Sequence, residues 1–150
     1  FLYDIDNKEA NASILAHEMS HLVLNRFFIH RPPLWLNEGL AEWYGNKGYE
    51  TFKGQKVDHE DGMGTLVDPY AVADLFGMNR YPEEDGAIFR FYATSKQVVG
   101  MLILNWDHAT FVEFLQSITV EGKPYDVPLE EVYGFSTLEE VQSAFDAFLQ

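Results

Sequence analysis

From Lys8 to about Ile29 the chain reads KEANASILAHEMSHLVLNRFFI, with neither glycine nor proline, and the run stops at His30-Arg31-Pro32-Pro33. Proline cannot continue a helix and turns the residue before it away from helical geometry, so the pattern predicts one helix over 8–29. Ile14, His17, His21, Leu24 and Phe28 follow at spacings of 3, 4, 3 and 4. That stripe marks the face turned toward the core. After the proline pair, LWLNEGLAEWY is apolar on one side and predicts a helix over 34–44, broken by Gly45-Asn46-Lys47-Gly48.

The stretch 49–67 is polar and carries Gly54, Gly62 and Gly64, which suggests an irregular excursion or a small hairpin. A short helix is expected from Asp68-Pro69 through Phe76, with Gly77 as its stop, and then a loop over 81–86. Residues 87–105 are apolar on most sides in their second half, the signature of a central buried helix. His108 to Ile118 predicts another helix. In the tail, Ser136 can cap and Glu139 can reach back, opening a helix whose Leu138, Val141, Phe145 and Phe148 share a stripe. The expected fold class is mainly α, α+β at most, in a single domain over 1–150.

Composition agrees with one compact unit, because 47% hydrophobic and 15% aromatic residues in 150 supply a sizeable core. The chain opens at Phe1 without an initiator Met. It has no apolar run of about 18 residues and no basic-then-apolar leader, so it reads as a piece of a longer protein with no membrane contact in this segment. A net charge of -14 argues against nucleic acid or an anionic membrane as partner. With no cysteine, any metal site must be built from His and carboxylates.

Such a site is suggested by His17-Glu18-Met19-Ser20-His21, an HExxH sequence inside the first helix. Two His four residues apart project from one face about a turn apart, which suits a single tetrahedral ion. Glu18, beside them, is placed to take a proton from water on the metal. Three fixed positions arise by accident in on the order of 1% of chains of this length, so context has to decide. The histidines fall on the core-facing stripe, where two adjacent imidazoles without a shared partner are costly to bury. A third ligand can come from Glu38, if the short proline connection packs the two helices as antiparallel neighbours and Gly39 permits close approach. Glu42, one turn on, could fix the tautomer of a ligating His; the alternative is a solvated helix residue.

HEMSH followed by PLWLNEGLAEW resembles the gluzincin metallopeptidases, in particular the peptidase MA-like families and, more distantly, the zinc aminopeptidases with their WLNEG segment. The resemblance is specific over residues 11–44 and looser over 91–150. It implies a zincin-like domain, Zn2+ held by His17, His21 and Glu38, hydrolysis of a peptide or protein substrate, and an extracytoplasmic setting. The separation of His21 from Glu38 is shorter than in those aminopeptidases, and no GxMEN-type exopeptidase segment is present. The resemblance further implies a Tyr or His from a later segment as oxyanion donor. Tyr92 is the first candidate, with core packing as its alternative, and His59 is the second.

Asp58-His59-Glu60-Asp61-Gly62 lacks the alternating ligand positions and distal Glu of a calcium loop and reads as a solvated loop. Trp35, Trp43 and Trp106 read as core aromatics, although the first two flank Glu38 and could line a cleft. Two rival readings remain: a non-catalytic domain that keeps zinc as a staple or binds a partner, and an acidic helical module with an accidental HExxH.

Overall fold

A computed structural model describes residues 8–54 and 68–150, and every regular element among them is a helix. In chain order these are α1 (Lys8–Asn25), α2 (Leu34–Phe52), α3 (Val72–Gly77), α4 (Asp85–Leu104), α5 (His108–Thr119), α6 (Asp126–Tyr133) and α7 (Leu138–Phe148). The mainly helical expectation is met. None of these helices is long and apolar enough to cross a membrane.

The core forms around α4, whose Phe91, Val98, Val99, Met101 and Leu102 are fully buried. Trp35, Leu36 and Leu40 of α2 pack against it, as do Phe111 and Phe114 of α5 and Phe145 of α7. Each is the apolar stripe of an amphipathic helix turned inward. Trp35 stacks on Phe76 at 4.1 Å between ring centroids. Trp35 and Trp43 are therefore buried core residues, while Trp106 is 38% exposed against Tyr133 and Phe135.

Several elements depart from the sequence reading, among them α3, which opens at Val72 rather than at Asp68-Pro69 and includes Gly77. The first helix ends at Asn25, about a turn short of the expected Ile29, because the N–H groups of Ile29 and His30 donate to Thr119 O at the end of α5. A tertiary anchor thus ends the helix that the proline pair was expected to stop. The second helix runs through Gly45 and Gly48 to Phe52. α6, which the sequence reading did not assign, carries Pro128 in its first turn, where its missing N–H costs nothing, and ends at Gly134 with φ 78°. The cap of α7 lies one residue later than expected. Thr137 Oγ1 accepts from Glu140 N–H at 3.3 Å, and Glu140 accepts from the N–H groups of Ser136 and Thr137.

Gly45 explains why α2 continues. A Cβ there would stand 2.9 Å from His17 Cα and 3.0 Å from His17 N, so the glycine lets the backbones of α1 and α2 meet. Gly39 was expected to serve that approach but faces α4, where a Cβ would meet Ser95 O at 2.5 Å. α2 is thus wedged between α1 and α4, with Glu38 beside the second contact. The expected stripe of α1, from Ile14 to Leu24, is half-buried, as is Phe28 beyond its end. Leu15, Met19, Leu22 and Val23 are exposed.

Candidate metal centre

His17 and His21 project one helical turn apart from α1, and their rings meet edge to face with centroids 4.8 Å apart. Glu38 comes from the first turns of α2 and is only 2% exposed. Its Oε2 lies 3.3 Å from His17 Nε2 and 3.2 Å from His21 Nε2, and the two nitrogens are 3.1 Å apart. Three donor atoms from two helices thus form a nearly equilateral triangle, a group that could hold a metal ion.

Further along α2, Glu42 Oε1 reaches within 2.8 Å of His17 Nδ1, the outer ring nitrogen. The contact is at ion-pair distance, but the ring N–H does not point straight along it. His21 Nδ1 is buried and has no hydrogen-bond partner among the described residues. Glu18 is half-buried, and its charge adds to the effects that raise the Tyr81 and Tyr92 hydroxyls. Tyr92 is in the second turn of α4 rather than at its start, with its ring edge-on to His17 at 5.7 Å between centroids. His59 lies outside the described residues, as does the Asp58–Gly62 cluster.

The other oxygen of Glu38 has partners of its own. Tyr81 Oη donates to Oε1 at 2.7 Å, and Asn37 Nδ2 approaches it at 3.4 Å. Tyr81 stands in the loop between α3 and α4, and sequence reasoning did not single it out. No spacing ties residue 81 to residue 38; only the packing of that loop across α2 brings them together.

These contacts favour the charged forms of both His17 and Glu38. Burial works against the imidazolium of His17, but Glu38 and Glu42 outweigh it and push its pKa up to about 9. Burial would likewise raise the carboxyl of Glu38, yet His17, His21 and Tyr81 hold it well below the usual carboxylate range. Burial, with the nearby Glu38, Glu42 and Glu18 charges behind it, raises the Tyr92 hydroxyl, which stays protonated at neutral pH. The arrangement is a buried carboxylate with two imidazoles gathered round one point, flanked by a further carboxylate and a neutral phenol. No family model, curated protein or solved structure matches the chain.

Proposed function

We propose that the chain is a zincin-like, zinc-dependent peptidase domain of the gluzincin type, with His17, His21 and Glu38 as ligands and Glu18 as general base. The donor triangle carries this reading. A tetrahedral zinc ion with bonds of ~2.0–2.1 Å holds its ligand atoms roughly 3.3–3.4 Å apart. The three edges here are 3.1, 3.2 and 3.3 Å, so the side chains are already close to the spacing required. Two imidazole nitrogens, once zinc has displaced the His17 proton, and one carboxylate oxygen also form a donor set that zinc favours in catalytic sites, with a fourth position left for water.

Zinc bound there would supply Lewis acidity, polarising a peptide carbonyl and lowering the pKa of the attacking water. Glu18, beside the ligands on the same helix, accepts the proton of that water and returns it to the leaving nitrogen. Glu42, at ion-pair distance from the outer nitrogen of His17, favours the tautomer that carries its proton there and leaves the inner nitrogen free to face the centre. Tyr92, neutral and next to His17, donates a hydrogen bond to the oxyanion as charge develops.

The test is hydrolysis of a quenched-fluorescent peptide library by the zinc-loaded protein and by Glu18→Gln. The variant is expected to keep its zinc and lose about 10²–10⁴-fold in rate, the usual contribution of general acid–base catalysis. Equal activity in the two proteins would remove Glu18 as the base. Zinc uptake with no hydrolysis by the native chain would favour a structural zinc domain instead.

A further inference from the structure

We infer that Tyr81 is a positioning residue for the zinc centre: its hydroxyl occupies one oxygen of Glu38 and thereby presents the other as a single-point ligand. The inference rests on the zinc reading of the site. A carboxylate can bind a cation through one oxygen or through both, and the choice changes the coordination number. In Glu38 the two oxygens are already assigned to different partners. Oε2 faces the His17 and His21 nitrogens at 3.3 and 3.2 Å, whereas Oε1 receives the Tyr81 hydroxyl at 2.7 Å.

The hydroxyl is the short contact on Oε1, since Asn37 stands 3.4 Å away. A buried carboxylate oxygen is costly without a donor, so the bond to Tyr81 resists rotation of the carboxylate plane. The rest of Tyr81 is not core. The residue is 45% exposed, and its ring leans edge-on against Phe91 at 6.0 Å between centroids. A loop residue whose ring is half in solvent and whose hydroxyl ends on a fully buried carboxylate contributes chiefly through that hydroxyl. Without it, Oε1 is free to turn toward the centre or to draw the whole carboxylate away. Tetrahedral coordination then loses its pre-set geometry.

The experiment compares native protein, Tyr81→Phe and Tyr81→Leu in competition titrations of Zn2+ against a chromophoric chelator. The visible spectra of the Co2+-loaded native and Phe forms are recorded alongside. Both variants are expected to bind zinc about 10–100-fold more weakly, the scale set by loss of an orienting partner. Cobalt in Tyr81→Phe should show a weaker band than in the native protein, as the second carboxylate oxygen joins the ion and raises its coordination number. Native affinity in Tyr81→Phe would overturn the inference while leaving the zinc site standing. Weakening in Tyr81→Leu alone would assign the effect to ring packing and overturn it equally. If Tyr81→Leu fails to fold, Tyr81→Phe decides by itself. No zinc uptake by the native chain would overturn both the inference and the reading beneath it.

Discussion

Replacing Gly45 by alanine perturbs the point at which the two ligand-bearing helices touch. The added Cβ would stand 2.9 Å from His17 Cα, 3.0 Å from His17 N and 3.2 Å from Ala16 C. All three are backbone atoms of α1, so no rotamer change relieves the clash. Carbon atoms settle at about 3.5–4.0 Å, which requires α2 to move away from α1 by roughly 0.6 Å or more. Overpacking of this kind costs about 1–3 kcal/mol, offset by the ~0.5–1 kcal/mol gained when glycine leaves a helix interior. The net loss, up to roughly 2.5 kcal/mol, corresponds to a Tm lower by up to about 10 °C for a chain of this size. The same shift carries Glu38 away from His17 and His21. Metal sites hold their ligand distances within about 0.2 Å, so zinc affinity should fall on the order of 10–100-fold. Gly48→Ala is the control: its Cβ would meet nothing within 4 Å, so that variant should match or exceed native stability with unchanged zinc binding. The assays are thermal unfolding by circular dichroism and zinc competition titration. Native Tm and native affinity in Gly45→Ala would refute the reasoning.

Two further outcomes follow from the site's electrostatics and geometry. Zinc must displace the proton that Glu38 and Glu42 hold on His17 up to about pH 9, so apparent affinity should rise about tenfold per pH unit from 6.5 toward 9 and then level off. A flat affinity over that range, measured by competition titration, would contradict the coupling. In the metal-free protein the raised His17 adds stability that is complete below its ordinary 6.5 and lost as pH rises through about 9. The depressed Glu38 adds stability present above its ordinary 4.5 and lost on acidification. Metal-free Tm should therefore peak between about pH 4.5 and 6.5. Tyr92→Phe should lower kcat by about 10²–10³-fold while zinc content and KM hold; an unchanged kcat would return Tyr92 to plain packing.

Local signals carried much of the fold. Helices over most of α1, α4, α5 and α7 follow from apolar spacing and capping residues, which act within a few positions along the chain. The misplaced boundaries have non-local causes. α1 stops early because Thr119, far along the chain, takes the N–H groups of Ile29 and His30. Gly45 reads as a break in isolation and proves to be a helix contact, since its reason lies in the backbone of His17. His17, His21 and Glu38 were legible because HExxH spacing is helical geometry and NEG follows on the neighbouring helix. Tyr81 was not, because a loop tyrosine gives no periodicity by which to place its hydroxyl.

The account stands most directly on zinc per chain, measured by elemental analysis after dialysis, for the native protein beside His17→Ala, His21→Ala and Glu38→Ala. One ion per native chain is expected, and each variant should lose it, since each removes one corner of the same triangle. A Glu38→Ala protein that keeps a full equivalent of zinc at native affinity, or a native chain that takes up none, would contradict it.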